Sequence, residues 1–394
     1  MAIEGRGDAR SGGRIRLGMV GGGQGAFIGA VHRLAARMDD QYEFVAGALS
    51  SDAARSRASG VELGLESDRI YTDYKEMARK EAKRTDGIEA VAIVTPNHLH
   101  FPIAKAFMEA GIHVICDKPL ALSTKEAKAL MALQKKTGLI FGVTHNYSGY
   151  PMIRQARDMA RGGELGPLRV VQAEYPQDWL TTYLEGTGQK QASWRTDPRY
   201  TGAGGCIGDI GTHAYQLACY VSGLRVESLS ADLTTFVKGR KVDDNVQVML
   251  RFKGGARGML WASQVAPGNE NGLKLRVYGE KGGLEWTQAD PNYLWHTPFG
   301  EPKRLITRGG AGSNAAAARV TRVPPGHPEG YLEGFANIYT EVARAIRAHR
   351  QGKKSWGKDV SFPDLVDGYD GMAFIEAAVK SSKGNGKWVK VETP

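Results

Sequence analysis

The sequence predicts two domains. The first is an α/β domain with a doubly wound parallel sheet, and the second is an α+β domain on a large open, mostly antiparallel sheet with helices on one face. Three observations carry this. The chain has 394 residues, against roughly 100–200 for an ordinary domain, so two cores are expected. From Arg14 to Val143, short apolar runs alternate with stretches of helical periodicity, the pattern of parallel strands joined by crossover helices. Past about Asn146, strand-like runs follow one another with glycine-rich turns between them, which favours antiparallel pairing. The boundaries read in this way are 14–146 and 147–394, with 1–13 as a disordered leader.

In the first domain, Arg14–Gly21 (RIRLGMVG) is a strand running into a glycine loop. Ala26–Met38 is a helix with Ile28, Val31, Leu34, Ala35 and Met38 at helical spacing. Tyr42–Leu49 is a strand, and Asp52–Leu63 a helix with Ser50 or Ser51 as its N-cap. Asp73–Lys83 is helical. Ile88–Val94 is an unbroken apolar run, as in a parallel strand covered on both faces. A helix at Pro102–Ala110, a strand at Ile112–Cys116, a helix from Ser123 to about Lys136 and a strand at Leu139–Val143 complete the alternation.

In the second domain, Met152–Arg161 is a helix. Leu168–Tyr175, Ser228–Val237, Asn245–Phe252, Ala256–Ser263 and Leu273–Tyr278 are strands. Tyr331–Arg347 and Phe362–Ser381 are helices, and the Gly/Ala-rich stretch Arg308–Pro325 before them reads as a mobile loop.

Five stretches carry chemistry. Gly21-Gly22-Gly23-Gln24-Gly25-Ala26-Phe27-Ile28-Gly29 follows a strand and opens a helix. That context makes it a dinucleotide loop of Rossmann type, with glycines admitting the pyrophosphate and helix N–H groups binding it. Two registers fit: Ala26 takes the third glycine's place, or the loop is three residues longer and Gly29 takes it. At the end of the second strand, Ser50 and Ser51, with Arg55 following, stand where a NAD-binding fold usually carries an acid for the ribose. NAD and NADP both remain open there. Thr95-Pro96-Asn97 with His100, at the carboxyl end of a buried strand, offers a rigid surface for a flat ring or a simple helix-capping turn. Cys116-Asp117-Lys118-Pro119 ends the next strand, where Asp117 and Lys118 stand beside the expected cofactor and Lys118 can hydrogen-bond a substrate oxygen; alone it would read as a solvated surface lysine, and its place beside the other stretches reverses that preference. In Gly204-Gly205-Cys206-Ile207-Gly208-Asp209-Ile210-Gly211-Thr212-His213, a helix over Asp209–Tyr220 puts Asp209 and His213 on one face. That pairs a proton-transferring imidazole with an orienting carboxylate; a capping aspartate beside a core histidine is the plainer reading.

Composition narrows the class. Hydrophobic residues make up 42% and charged residues 24%, as in a globular chain. No apolar run approaches the roughly 18 residues of a membrane helix, and Met1–Gly13 lacks the apolar core of a secretory signal. Ile3-Glu4-Gly5-Arg6 resembles a protease recognition sequence and is set aside. Cys116, Cys206 and Cys219 are odd in number and not closely spaced, so neither a disulfide framework nor a metal site is expected. A reducing cytoplasm is the expected setting. The net charge of +10 is spread along the chain, which suits a protein holding a pyrophosphate better than a nucleic-acid binder.

Together these residues resemble the glucose–fructose oxidoreductase/inositol dehydrogenase (Gfo/Idh/MocA) family over nearly the whole chain. Asp117-Lys118-Pro119 stands in the place of that family's Glu-Lys-Pro, and Gly-Gly-x-x-x-Asp-x-Gly-x-His spans Gly204–His213. The long glycine loop and His145-Asn146-Tyr147 look closest to inositol and pyranose dehydrogenases that use NAD. The resemblance implies a catalytic group of Lys118, Asp209 and His213, a homodimer or homotetramer, and a sugar or cyclic polyol as substrate. It also implies cofactor contacts from Trp194 and Arg195 beside those of the glycine loop. Tyr147, Arg195 and His327 are further candidates for the substrate, His327 because it follows the Gly/Ala-rich loop. The expected reaction is oxidation of a secondary hydroxyl to the ketone. A glycosidase that oxidises its sugar only transiently, or a keto-sugar reductase, is the alternative.

Overall fold

The computed structural model describes residues 13–353 and 355–394; the expected leader, apart from Gly13, lies outside the described residues. The elements run β1 (Ile15–Gly21), α1 (Phe27–Met38), β2 (Tyr42–Ala48), α2 (Ala53–Glu62), α3 (Tyr74–Glu81), β3 (Ala90–Val94), α4 (His100–Glu109), β4 (His113–Cys116), α5 (Thr124–Thr137) and β5 (Phe141–Val143). There follow α6 (Pro151–Arg161), β6 (Leu168–Pro176), α7 (Lys190–Arg195), α8 (Pro198–Thr201) and α9 (Thr212–Ser222). Next come β7 (Val226–Thr234), β8 (Asn245–Phe252), β9 (Arg257–Ser263), β10 (Lys274–Gly279), β11 (Gly282–Thr287), β12 (Tyr293–Pro298) and β13 (Arg304–Thr307). The chain ends with α10 (Ala315–Ala318), α11 (Tyr331–Arg350), α12 (Leu365–Lys383) and β14 (Val389–Lys390).

The chain divides into two units. The first holds the described residues up to Ala121, then Lys125–Gly149 and Tyr331–Gly368. Its five strands lie in the order β2-β1-β3-β4-β5, all parallel. Strand order reverses between β1 and β3, and ligands of such sheets bind at the carboxyl edge of that reversal. β3 is buried at every residue, as the apolar run requires.

The boundary differs from the sequence reading, which gives everything after residue 146 to the second domain. The turn Asn146–Gly149 and helix α11 belong with the first unit. Phe335, Ile338, Tyr339, Val342 and Ile346 of α11 share one buried cluster with Ile15, Leu17 and Met19 of β1 and Ala92 of β3. Burial of that apolar stripe decides where the helix goes. Asn337 also donates to the Gly149 carbonyl at 2.7 Å.

The second unit holds Leu122–Thr124, Tyr150–Gly330 and Tyr369–Pro394. Its nine strands run β13-β12-β11-β10-β6-β9-β8-β7-β14, antiparallel except where β6 meets β9. One face is buried, with β6, β9 and β10 against α9 and β11 and β12 against α6. On the other face the strands alternate outward, leaving Met249, Met259, Tyr293, Trp295 and Leu305 exposed. The sequence reading missed β11 to β14 and the short helices α7, α8 and α10. β11 begins with two glycines and reads as a turn, and α8 and α10 are single turns.

The stretch Arg308–Pro325 is not a free loop. The Arg308 side chain is 2% exposed and donates to Asn292, to the Val323 carbonyl and to Glu329 at 2.8–3.1 Å. A buried guanidinium satisfied in this way fixes the backbone around it.

Three buried histidines hold the first unit. His113 accepts the Ile140 N–H at 2.9 Å. His32 lies 2.8 Å from the Tyr339 hydroxyl, and His145 ends the β5 turn. Burial lowers their pKa values, to about 4 for His32 and about 3 for His113 and His145. Unfolded histidines protonate near 6.5, so the unfolded chain binds these protons first. Stability is therefore complete above about pH 6.5 and is lost as pH falls toward 4. Replacing His113 with Asn keeps an acceptor but removes a proton site. Denaturant titrations of both proteins should show the gap between them narrowing by ~3 kcal/mol from pH 7 to pH 4. Parallel stability curves would show that His113 is not the titrating group.

Candidate functional site

The carboxyl edge of the parallel sheet carries the first set of residues. β1 ends at Gly21, whose φ is +82° and which lies beside Val94 of β3. A Cβ there would fall 2.8 Å from the Val94 carbonyl oxygen. The register of the loop is settled by Gly29. A Cβ on Gly29 would lie 2.4 Å from the Cα and the oxygen of Gly22, so Gly29 makes the close helix-to-strand contact. Ala26 is the extended residue that precedes α1. The loop is thus the longer form.

Its amides divide into two groups. Gly23 N–H donates to the Leu49 carbonyl, Gln24 N–H to Ser59 Oγ and Ala26 N–H to the Gly23 carbonyl, each at 3.0 Å. The Gln24 side chain donates to Glu62 at 2.7 Å. These bonds shape the loop. Helix α1 opens with no side-chain cap and no acidic residue in its first turn, so no side chain of that turn competes with an anion for its leading N–H groups, at Phe27 and Ile28. Phe27 is 67% exposed beside them. A glycine-lined turn ending in an uncapped helix fits a dinucleotide pyrophosphate.

At the end of β2, Ser50 and Ser51 do not cap α2. Asp52 does, its carboxylate accepting the Arg55 N–H at 2.7 Å, while Ser50 Oγ accepts the Asp52 N–H at 3.1 Å. A carboxylate is the stronger partner for a helix N-terminus. Arg55 is exposed on the first turn.

Beyond β3, Thr95 stands against Gly21, with its methyl 2.9 Å from where a Cβ would sit. Among the described residues its buried hydroxyl has no hydrogen-bond partner. Pro96 leads into a 3-10 turn at Asn97–Leu99. His100, a cofactor contact by its place in the motif, has its ring buried against the backbone carbonyls of Pro119 and Thr95.

Beyond β4, the Asp117 carboxylate accepts the Lys118 N–H at 2.9 Å and the Thr144 hydroxyl at 3.0 Å. Asp117 therefore braces the backbone that carries Lys118. Burial pushes the Cys116 thiol well up, so it is inert. Tyr147 is buried in the 3-10 turn Asn146–Gly149 of the same unit.

The second unit carries the other set. The helix predicted from Asp209 begins earlier, with a π-helical turn at Ile207–Gly211 before α9. Asp209 thus lies in a π-helical turn and His213 in the α-helix that follows it, and such turns often occur at functional sites. Asp243 holds the start of this turn. Its two carboxylate oxygens accept Gly205 N–H at 2.7 Å and Ile207 N–H at 2.8 Å. Burial raises the Asp243 carboxyl to about 6, although these backbone bonds oppose the shift. Gly205 must be glycine, because a Cβ would lie 2.5 Å from the Asp243 carbonyl oxygen.

Asp209 accepts Gln264 Nε2 at 2.8 Å and pairs with Arg195 Nε at 3.4 Å. The Arg195 guanidinium stacks on Trp194, 4.2 Å from the ring centroid. His213 is buried, with the Tyr175 ring edge-on at 6.1 Å. The structure thus gathers Trp194, Arg195 and Asp209. His327 is exposed, and its carbonyl accepts from Arg308. Among the described residues, no group of three or more His, Cys, Asp or Glu side chains could hold a metal ion, and no helix is long and apolar enough to cross a membrane.

Sequence reasoning passes over Gln264, Asp243, Ser59 and Thr144. Asp243-Asp244 before a strand is a readable signal, since two adjacent carboxylates there need N–H partners. Gln264 has none.

The chain resembles known proteins along nearly its whole length. Residues 15–145 match the model of an oxidoreductase family with an NAD-binding Rossmann fold. Residues 153–285 match the GFO/IDH/MocA C-terminal domain. A crystal structure of an oxidoreductase from Sinorhizobium meliloti is 59% identical, with TM-score 0.87, covering 96% of this chain and 99% of that one. An inositol dehydrogenase homolog from Azotobacter vinelandii, complexed with NADH and myo-inositol, is 36% identical with TM-score 0.90, covering 96% and 97%. Levoglucosan dehydrogenase of Pseudarthrobacter phenanthrenivorans is 29% identical over 96% of this chain and 98% of its own length.

Gly29→Ala should weaken NADH binding ~10-fold or more, since forcing a methyl against backbone costs ~1–3 kcal/mol. Fluorescence titration measures this, with the exposed Ala30→Ser as control. Unchanged affinity would return the packing role to Ala26.

Proposed function

The chain belongs to the Gfo/Idh/MocA family of NAD-binding oxidoreductases, and on that premise we propose that it oxidises a secondary hydroxyl of a cyclic polyol or pyranose to the ketone. The observation that carries this is the fixed carboxylate of Asp209, held by Gln264 and Arg195 on the turn that leads to His213. The myo-inositol bound by the Azotobacter vinelandii homolog supports a ring polyol as substrate.

When bound at the glycine loop, NAD would supply the hydride acceptor. His213 takes the hydroxyl proton on its ring as the C–H bond breaks. The Lys118 ammonium donates to the substrate oxygen while it carries alkoxide character, an interaction worth several kcal/mol where water is excluded. Asp209 orients the imidazole and the substrate hydroxyl. Arg195, Tyr147 and His327 complete the substrate contacts. Gly21, Gly25, Phe27 and Ile28 hold the pyrophosphate. Thr95, Pro96, Asn97 and Trp194 bound the nicotinamide side. Ser50, Ser51 and Arg55 meet the adenosine ribose, where an exposed arginine also tolerates a 2′-phosphate. We further infer a homodimer or homotetramer, joined through the outer sheet face that exposes Met249, Met259 and Trp295.

Lys118→Met and His213→Ala should each lose ~10²-fold or more in kcat and still bind NADH. Near-normal kcat in either would remove that residue from the chemistry. A panel of inositols, aldopyranoses and anhydrosugars, each tried with NAD and with NADP, tests the substrate class; no reduced nicotinamide across the panel would sink the proposal. Arg55→Ala should worsen kcat/KM with NADP more than with NAD, and equal losses would take Arg55 out of the ribose site.

A further inference from the structure

Three successive amides converge on one residue at the start of the π-helical turn. Gly205 N–H and Ile207 N–H donate to the two carboxylate oxygens of Asp243 at 2.7 and 2.8 Å, and Cys206 N–H donates to its backbone carbonyl at 2.9 Å. Asp243 is 8% exposed. The peptide unit that carries the Cys206 N–H also carries the Gly205 carbonyl, which accepts the Asp209 N–H at 2.9 Å. One peptide plane therefore joins the backbone of Asp243 to that of Asp209.

The next residue reaches the same acid from its other side. Just beyond the Asn245–Ser263 pair of β8 and β9, the Asp244 carbonyl accepts the Gln264 N–H at 2.8 Å. The Gln264 side chain then donates to the Asp209 carboxylate at 2.8 Å. Asp244 is itself fixed, since its carboxylate accepts Phe236 N–H, Val237 N–H and Arg240 Nη1 at 2.9–3.1 Å. Arg240 is held in turn by Glu185 at 2.8 Å.

We infer that Asp243 is a positioning residue: its ionised carboxylate grips the π-helical turn while the adjoining peptide grips Gln264, so both ends of the Asp209–Gln264 bond are set by one dipeptide. The inference rests on the reading of Asp209 as the acid that orients the imidazole and the substrate hydroxyl.

The grip needs the charged form. Both carboxylate oxygens accept an N–H, and a protonated carboxyl would set an O–H against one of those donors. Burial raises the Asp243 carboxyl to about 6, with the Asp244 charge acting in the same sense and the backbone bonds opposing it. The other ionisable neighbour, Cys206, has its thiol pushed well up by burial and stays neutral. The Asp244 charge is met by Arg240 at 3.1 Å. From α12 the neighbour is the apolar Ile375, which lies beside Gly204 as Asp243 does. The brace is therefore whole well above pH 6 and loses one of its two carboxylate bonds as pH falls through that value.

The test uses the full chain. Asp243→Asn keeps the side chain's size and one acceptor oxygen, but turns an NH2 on the second amide. At about pH 8 it should lower kcat ~10²-fold, the cost of a displaced group at the reacting centre, with NADH affinity within about threefold. The ratio of wild-type to variant kcat should then shrink ~10-fold by about pH 5, because the wild type loses its ionised brace there and the variant has none to lose. Protonation of His213 is common to both proteins and cancels in the ratio. A ratio that holds constant with pH, or a kcat retained within about threefold at pH 8, would overturn the inference.

15N NMR of the cofactor-free protein follows the same event without turnover. The Gly205 and Ile207 amides and the Gln264 side-chain amide should shift together with a midpoint near pH 6, and this step should be missing from Asp243→Asn. A Gln264 amide that does not move while Gly205 and Ile207 titrate would show that the brace ends at the turn, and the inference falls. This readout stands apart from Lys118→Met and His213→Ala, which judge the chemistry. Where Asp243→Asn does not fold, the titration of the wild-type protein decides.

Discussion

The architecture of the first unit depends on one missing atom. Gly29 has no Cβ, and Gly22 lies where that Cβ would be. With the methyl absent, α1 descends onto the end of β1 and directs its uncapped N–H groups along the sheet edge. Everything at that edge takes its place from this approach. Gly23 and Gln24 anchor the loop on the β2–α2 turn through Leu49 and Ser59. Arg33, one turn further along α1, donates to the Gly22 carbonyl at 2.8 Å and holds the loop from beneath. The dinucleotide site is thus a packing solution first, and its affinity for phosphate follows from where the packing leaves the helix.

A second theme is the use of carboxylates as backbone braces. Asp52 caps α2, Asp117 accepts Lys118 N–H, and Asp243 accepts Gly205 and Ile207 N–H. In each case the acid beside a candidate functional residue turns toward main chain. Such bonds to ionised acceptors are stronger than neutral ones and fix geometry. The Asp209 carboxylate meets the side chains of Gln264 and Arg195.

The sequence is legible where periodicity is long. The alternation from Ile15 to Val143 locates every strand of the parallel sheet, because each is an apolar run between helices of clear spacing. The Asp117-Lys118-Pro119 and Gly204–His213 stretches are legible because spacing and residue type agree. Other features are set by tertiary contact. Helix α11 reads as a helix in the sequence, but only its buried stripe assigns it to the first unit. The loop register needed the distance from Gly29 to Gly22. Gln264 lies far along the chain from Asp209 in a plain strand end, where no local pattern distinguishes it. Arg308 shows the converse: a Gly/Ala-rich stretch reads as loose until one buried guanidinium is seen to hold it.

The return of α11 to the first unit bears on biosynthesis. The parallel sheet is finished at β5, yet the helix that covers one of its faces is translated almost two hundred residues later in the chain. During that interval Ile15, Leu17, Met19 and Ala92 share their cluster with Val31, Ala35 and Ala36 of α1 but lack the α11 part of it. The nascent domain must wait with an adhesive surface, and its closing contact is among the most distant in sequence, which slows folding. Chaperone capture at that stage answers the need, and a fragment cut after β5 would carry the same adhesive face. The unit that looks most self-contained in sequence therefore closes only once α11 has been made.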